Sequence, residues 1–345
     1  MKNLYGIFLM LLVLLFASCA HQNVKPTTDI GKTTTTAQKV YGNPSLEQDY
    51  LVFEDEAHFW QFVAKGRETS ENRKKWEKSL GFTSMRTNFE ALSDISEKAG
   101  ESGTGYGMSL DALAEKYKDI AVFEREGIFH LNCFYHPMAA VINNKGIVLI
   151  GNKLCKVDAD KMLSVQNKDM DKLMANANII ESKNGVTVEM TKSKLENTRQ
   201  ICNSSYVFIG LTYVFGTTYY SNNGNFRTEF NVYMMQNGSI AHNVDYYYTI
   251  DNWQKSLGIW TRKAFTVTID MDGTIDNYAG TTFTHDGNMS VSQKDWDVAF
   301  ANNLVSPYTS PAPPILYSQA WISACFTGSI TMVFPNGAGT KSYTY

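Results

Sequence analysis

The hydrophobic and polar positions of this sequence change their period along the chain. Between residues 51 and 194, apolar side chains recur at intervals of three and four residues, which places them on one face of an α-helix. Ser109 is a residue type that caps helix N-termini. The pattern predicts helices at 55–64, 70–80 and 84–98, a further helix after Ser109, and polar helical pieces at 158–178.

Apolar segments inside this helical region also have features of strands. Residues 51–53 and 128–134 are predicted strands, and residues 138–151 are predicted to form a β-hairpin that turns at 143–146. Pro137 interrupts one arm, because proline has no N–H to donate to a ladder. Residues 51–194 are therefore predicted to form a mainly helical domain with one β-hairpin.

From residue 195 onward the period shortens to two. Between Tyr206 and Phe265, 15 of 60 residues are Phe, Tyr or Trp, against 13% for the whole chain, and residues 226–234 alternate strictly. Asn-Gly and Asp-Gly dipeptides predict tight turns at 223–224, 237–238, 272–273 and 286–287. The fold class predicted is α+β, in which residues 195–345 form an aromatic-rich antiparallel β-sandwich domain.

The N-terminal segment predicts export. Residues 4–16 are an unbroken apolar run that follows Lys2, whereas a membrane-spanning helix needs about 20 such residues. A basic start, a short apolar core and small residues are typical of a cleaved signal peptide. Two small residues lead directly into Cys19, which resembles the lipobox of bacterial lipoproteins, although Phe16 stands where an aliphatic residue is usual. The resemblance implies that residues 1–18 are removed and that Cys19 is lipidated; an ordinary cleaved signal peptide is the alternative.

The segment after Cys19 is predicted to be a flexible tether. Residues 19–50 carry no apolar periodicity and include four consecutive threonines. A coil of this length holds the folded part roughly 30 Å from the lipid. No acidic cluster follows Cys19, so the sequence predicts a lipid anchor in the outer membrane and leaves the leaflet open.

Charge and cysteine content narrow the class of protein. Charged residues make up 19% of the chain, the net charge is −3 and no arginine-rich run occurs, so nucleic-acid binding is excluded. Apart from Cys19, the four cysteines allow disulfides after export in three alternative connectivities, between which the sequence does not choose; the predicted hairpin favours Cys133 with Cys155, which leaves Cys202 with Cys325. Four buried thiols are the alternative.

Short segments of the helical region resemble uncharacterised lipoproteins of the Bacteroidota. The segments are FEDEAHFWQFV, GFTSMRTNFEAL and GIVLIGNKLCKVD. The families concerned have no agreed activity, so the resemblance implies a location more than a chemistry.

The sequence FTVTIDMDGTID at 265–276 resembles the first motif of haloacid-dehalogenase-type phosphatases. The resemblance implies that Asp270 is a nucleophile and Asp272 a general acid/base, with Mg²⁺ between them. The alternation of this segment opposes it, because that family uses a strand buried on both faces. A β-hairpin that turns at 272–273 is the simpler interpretation, and a calcium site formed by Asp270, Asp272 and Asp276 is a further candidate.

Histidine and aromatic residues supply the remaining candidates. His130 and His136 flank Cys133, which suggests a metal site, but a structural histidine is favoured at this position. Tyr247, with Trp253 and Trp260, is a candidate ligand face, since such rings stack on sugars or anchor a partner. Filling of the sandwich core is the alternative role.

Together these patterns predict a lipid-anchored protein of the bacterial cell envelope with a non-enzymatic binding or structural role. The sequence predicts no cofactor, a membrane contact through the lipid, and a glycan or protein partner. The rival is an envelope hydrolase that uses Asp270 and Asp272 as a phosphatase does.

Overall fold

The structure is a computed structural model that describes residues 39–63, 66, 68–194, 202–207, 210–221, 223–236, 243–276, 282–291, 295–305, 320–334 and 338–344. The leader and Cys19 lie outside these ranges, as does the 237–238 turn. In the described part of the chain, no helix has the length and apolar character needed to cross a membrane.

The helices predicted at 55–64, 70–80, 84–98 and after Ser109 are confirmed, whereas of the helical pieces predicted at 158–178 only residues 170–175 form an α-helix. They are α1 (Glu56–Val63), α2 (Ser70–Leu80), α3 (Met85–Ser102) and α4 (Leu110–Tyr117), and a shorter α5 (Met170–Ala175) follows later. The hydroxyl of Ser84 caps α3 by accepting from the Thr87 N–H, and Ser109 caps α4 by accepting from the Ala112 N–H. Local capping and apolar spacing therefore set these helices.

The strands fall into two larger sheets and one small pair. The strands are β1 (Ser45–Glu47), β2 (Tyr50–Phe53), β3 (Ala121–Phe123), β4 (Phe129–Leu131), β5 (Ile147–Ile150), β6 (Lys153–Val157), β7 (Lys161–Gln166), β8 (Thr187–Lys194), β9 (Cys202–Val207), β10 (Gly210–Tyr220), β11 (Phe226–Gln236), β12 (Asn243–Ser256), β13 (Ile259–Arg262), β14 (Val267–Asp276), β15 (Thr282–Val291), β16 (Asp295–Val305), β17 (Ala320–Val333) and β18 (Thr340–Thr344). One sheet has the order β1-β2-β5-β6-β7-β8-β10-β11-β12-β13, with β16 also paired to β12; the second has β15-β14-β17-β18 with β9 paired to β17; β3 pairs with β4. Most pairs are antiparallel, and the fold is α+β.

The first sheet contains strands from both sides of residue 195, where the sequence predicts a domain boundary. The boundary itself lies in residues that the structure does not describe. On one side of it, β8 pairs in parallel with β10 on the other. The sheet therefore continues from the helical region into the aromatic-rich region.

Strand β5 lies at the centre of the hydrophobic core. Its four residues are all buried. Val148 and Ile150 belong to the core cluster that contains Phe59 of α1 and Phe89 of α3. Ile147 and Leu149 belong to the cluster on the other side, with residues of α5 and β7. An unbroken apolar strand is what burial on both faces requires.

The predicted hairpin at 138–151 is wrong in its strand pairing. The turn at 143–146 forms, with the Gly146 N–H donating to the Asn143 carbonyl at 2.9 Å. It joins β5 to a 3₁₀-helix, His136–Ala140, and not to a strand. Pro137 starts that helix because its fixed φ suits the first turn and its missing N–H is not needed there. The hairpin that forms instead pairs β5 with β6. Residues 161–166, predicted to be helical, form β7.

The predicted turns at 272–273 and 286–287 are also wrong. Both dipeptides lie within strands, where Gly273 pairs with His285 on one side and with Gly328 on the other. The turn at 223–224 is confirmed, with the Gly224 N–H donating to the Ser221 carbonyl at 2.9 Å. Unlike Asn223-Gly224, the two Asp-Gly dipeptides lie in segments in which the alternation of apolar and polar residues continues on both sides.

The topology of β14 also contradicts the phosphatase interpretation of Asp270 and Asp272. These residues lie within a strand that is antiparallel to both of its neighbours, β15 and β17. The phosphatase resemblance implies a parallel strand. The calcium set fits poorly as well, because an extended strand separates Asp270 from Asp276 by about 20 Å, too far for both to bind one ion.

Candidate functional site

A row of charged and aromatic residues crosses three neighbouring strands of the first sheet. Strand register places Arg227 of β11 opposite Trp253 of β12, and Trp253 opposite Arg262 of β13. Two residues away from this row, Glu229 of β11 lies opposite Asp251 of β12. Because side chains at i and i+2 share a face, all five residues belong to one face of the sheet.

The small sheet brings a histidine to this face. Strand β4 contains His130, and the ring of His130 meets the ring of Trp253 edge to face, with centroids 5.7 Å apart. Helix α3 packs on the same strands, and the hydroxyl of Ser96 accepts from the backbone N–H of Arg262 at 2.9 Å. We name the set His130, Glu124, Arg227, Glu229, Asp251, Trp253 and Arg262 the His130 cluster.

Arg262 holds the cluster together from inside the protein. Its side chain is fully buried and forms an ion pair with Asp251. It also donates to the backbone carbonyl of Phe129 at 2.7 Å. The guanidinium carbon lies 4.2 Å from the ring centroid of Trp253, within the range of a cation–π contact. A second guanidinium, that of Arg227, pairs with Glu229 and lies 5.2 Å from the same ring.

His130 lies between carboxylates on both sides of its ring. Its Nε2 is 3.2 Å from Oε1 of Glu124. Its Nδ1 is 3.8 Å from Oε2 of Glu229 and 3.8 Å from Oδ2 of Asp251, beyond the length of a direct hydrogen bond. The side chain of His130 is 27% exposed. The ring therefore connects a buried pair of carboxylates with one that is open to solvent.

These contacts shift the pKa values of the cluster. Burial lowers the pKa of His130, but the carboxylates of Asp251 and Glu124 outweigh burial, so the net shift is upward. Burial raises the pKa of Asp251, but Arg262 and His130 outweigh it and hold the pKa of that carboxyl well below its usual range. The hydrogen bond from His130 is the main cause that lowers the pKa of Glu124. Burial also lowers the pKa of Arg227.

The cluster holds charges of both signs, and three of its residues are of metal-ligand type. Three carboxylates face two guanidinium groups and one imidazole, so the set is neutral when His130 is protonated. Within the described residues, His130, Glu229 and Asp251 form one group of metal-ligand type, with ligand atoms within 4.8 Å of one another. Because Asp251 stays ionised at low pH and is bound to Arg262, it is a poor general base.

The burial of Trp253 and Trp260 decides whether the predicted aromatic face can bind a ligand. Trp253 is fully buried and Trp260 is 5% exposed, and both belong to one core cluster with Ile128. Both are therefore core residues, as the alternative interpretation predicts, and they do not form a ligand face. Tyr247 lies in β12, and its side chain is outside the described part of the structure.

Sequence analysis missed the partners of His130. The strict alternation of residues 226–234 is typical of a strand with one face in water, but Arg227, Thr228, Glu229 and Phe230 are all buried. His130 and Glu229 lie far apart along the chain, and no sequence spacing connects them. The sequence signal that could have revealed this cluster is the presence of Arg, Glu, Asp and Trp at alternate positions of strands that otherwise resemble core strands.

The cysteines divide into two pairs with different settings. Cys133 and Cys155 are buried thiols, and Sγ of Cys133 donates to the carbonyl of Tyr135 at 3.1 Å. The predicted disulfide between them is not formed here, since the hairpin that was expected to bring them together does not exist. Cys202 is the register partner of Cys325. Partners in antiparallel strands have Cα atoms about 4.5–5.5 Å apart, within the range of a disulfide. That pairing stays a prediction.

We expect iodoacetamide at about pH 8 to leave Cys155 unmodified in the folded protein. Burial raises the pKa of the Cys155 thiol to about 12, and the thiolate is the reactive form. After denaturation without reductant, we expect Cys133 and Cys155 to react and the joined Cys202 and Cys325 to stay unlabelled. Peptide mass spectrometry measures both results. Labelling of folded Cys155 contradicts the first, and reaction of all four thiols contradicts the second.

Comparisons with known proteins do not identify a function for this chain. No protein-family model and no curated protein matches the sequence. Among solved structures, a DUF4848 family protein from Bacteroides thetaiotaomicron is similar over 88% of this chain and 100% of its own, at 12% sequence identity and a TM-score of 0.29. A likeness at this level carries no argument about fold or function.

Proposed function

We propose that this chain is a lipid-anchored protein of the bacterial cell envelope with a non-enzymatic, binding or structural role. The observation that carries the proposal is the leader: a basic residue, an apolar run too short to span a bilayer, two small residues and Cys19. The acylated cysteine becomes the mature N-terminus. The tether predicted for residues 19–50 is too long, because Ser45–Glu47 already pair with β2 in the first sheet, so residues 19–44 connect the lipid to the folded part. The proposed location is the outer membrane. The chain is proposed to belong with the uncharacterised lipoproteins of the Bacteroidota that its sequence segments resemble.

The geometry of the His130 cluster supports a structural role for its charges. Each of its two buried carboxylates is bound to a guanidinium group, Asp251 to Arg262 and Glu229 to Arg227. The Asp251–Arg262 pair joins β12 to β13, and carboxylates bound to guanidinium groups in this way are poorly suited to proton transfer or nucleophilic attack. The antiparallel setting of Asp270 and Asp272 also weighs against the hydrolase alternative.

The second half of the chain is the proposed binding part. Along β14, apolar residues alternate with Thr and Asp, the pattern of a strand with one face in a core. This supports a two-sheet sandwich whose polar face is available to a glycan or protein partner. The partner's identity is left to a binding screen with the intact lipoprotein.

Replacement of Cys19 tests the lipid anchor. In cells grown with a clickable palmitate analogue, we expect the wild-type protein to incorporate the label and to appear in the membrane fraction. Cys19→Ala should lose the label, because no thiol is left to receive the diacylglycerol. Ser18→Ala is the matched control, since it keeps a small residue beside the cysteine and should be labelled as the wild type is.

Three results would overturn this proposal. Equal labelling of Cys19→Ala, or an unmodified Cys19 in the intact wild-type mass, removes the lipid anchor. Hydrolysis of p-nitrophenyl phosphate by the purified wild type that is lost in Asp270→Asn replaces the non-enzymatic role with the hydrolase.

A further inference from the structure

Three potential metal ligands converge in the His130 cluster without touching one another. Nδ1 of His130 is 3.8 Å from Oε2 of Glu229 and 3.8 Å from Oδ2 of Asp251, and the three atoms lie within 4.8 Å. Ligands at about 2.1 Å from a tetrahedral zinc ion are about 3.4 Å apart. The two separations from Nδ1 of His130 are 3.8 Å and need a shift of about 0.4 Å to reach that value, so the gap beside Nδ1 is close to the size of a metal ion.

The other nitrogen of His130 is held in the way a metal-binding histidine requires. Nε2 is 3.2 Å from Oε1 of Glu124, so the Nε2–H donates to that carboxylate. This hydrogen bond places the proton on Nε2 in the neutral ring and leaves the Nδ1 lone pair facing Glu229 and Asp251. A lone pair that faces two carboxylate oxygens repels them unless a cation lies between. The carboxylate–histidine arrangement is the usual outer shell of a metal site.

The two arginines orient the ligand carboxylates through their far oxygens. Arg262 binds Oδ1 of Asp251 and leaves Oδ2 for the gap. Arg227 binds Oε1 of Glu229 and leaves Oε2 for the gap. Each carboxylate therefore presents one fixed oxygen to the ion and is anchored by the other.

We propose that His130, Glu229 and Asp251 bind one divalent transition-metal ion of the zinc type. The nitrogen ligand favours this class over Ca²⁺ or Mg²⁺, which prefer sets made only of oxygen. Glu124 is 53% exposed, so the Nε2 edge of the ring faces the solvent. The site is independent of the lipid anchor, and its failure leaves the proposed function untouched.

A proton on Nδ1 is the competing occupant of the gap. With the proton, the three carboxylates balance three cationic groups; with a divalent ion, the cluster carries one excess positive charge. Arg227 and Arg262 therefore weaken metal binding as well as orienting the ligands, and the expected affinity is lower than that of a structural zinc site.

Zinc titration of the full-length lipoprotein in detergent, after removal of metals with a chelator, tests the site. We expect one Zn²⁺ per chain by native mass spectrometry and calorimetry, and binding weakened by roughly 100-fold or more in His130→Gln. Glu124→Ala removes only the outer partner and should weaken binding by about 10- to 100-fold. Glu115→Gln, an exposed carboxylate of α4, is the control and should bind as the wild type does.

Cobalt provides a readout that does not depend on the variants. We expect Co²⁺ to give visible d–d absorption without a thiolate-to-cobalt charge-transfer band, since no cysteine takes part. Failure of the folded wild type to bind Zn²⁺ would overturn the proposal and assign the gap to a proton. Unchanged affinity in His130→Gln, a thiolate band, or tighter binding of Ca²⁺ than of Zn²⁺ would each overturn it too.

Discussion

Arg262→Ala is expected to lower the free energy of unfolding by about 3–5 kcal/mol, because it leaves the carboxylate of Asp251 buried without its ion-pair partner. The substitution also removes the hydrogen bond to the carbonyl of Phe129 and the stacking on Trp253. These losses add to the cost, because the carbonyl and the ring lose their partner inside the protein. Urea denaturation followed by circular dichroism measures the change.

Lys263→Ala is the matched control for Arg262→Ala. Lys263 is the next residue along the chain and pairs with Glu101 at 2.6 Å, but this ion pair lies at the surface. Exposed pairs contribute about 0–1 kcal/mol. If Arg262→Ala costs no more than Lys263→Ala, the view that Arg262 is the central support of the cluster is wrong.

The second large effect is expected for Trp253→Ala, which should destabilise the protein by about 3–5 kcal/mol. The indole is fully buried, and its removal leaves a cavity between the two guanidinium groups that stack on it. Because neither arginine can collapse into an apolar gap without losing its ion pair, we expect little relaxation. Thermal and urea unfolding of the purified variant measure the loss.

Leu257→Ala gives the comparison for Trp253→Ala. Leu257 lies in the turn between β12 and β13 and is 78% exposed, so its truncation should change stability by less than about 0.5 kcal/mol. A Trp253→Ala variant that unfolds at the same urea concentration as the wild type would show that the ring is peripheral. That result would also restore the aromatic face suggested by the sequence.

Features set by neighbouring residues were predicted well. The bounds of α2 follow from the apolar spacing within it, and the N-cap of α4 follows from Ser109, all within one or two helical turns. The alternation of residues 226–234 predicts β11 in the same way, and the observed strand runs two residues further, to Gln236. Such signals are local, so a single sequence is sufficient to reveal them.

Features set by pairing between strands were predicted poorly. Asp272-Gly273 is an ordinary hairpin turn by its local sequence, yet it lies in the middle of β14 because β15 and β17 pair with it on both sides. Asn143 to Gly146 forms its turn, but Pro137 directs the preceding segment into a 3₁₀-helix. In the first case the contacts that decide the outcome come from other strands, whereas in the second Pro137 prevents the expected pairing and leaves β6 as the hairpin partner of β5.

The sequence by itself determined the positions of the helices, the α+β class and the prediction of a lipidated leader, because each depends on residues that are close along the chain. Only the tertiary structure decided that Trp253 is a core residue and that His130 meets Glu229 and Asp251. Those side chains belong to strands whose register is set by packing over the whole sheet. A charged residue on a strand fits the same alternating sequence pattern whether its face of the sheet contacts water or another layer of protein. Only the folded arrangement distinguishes the two.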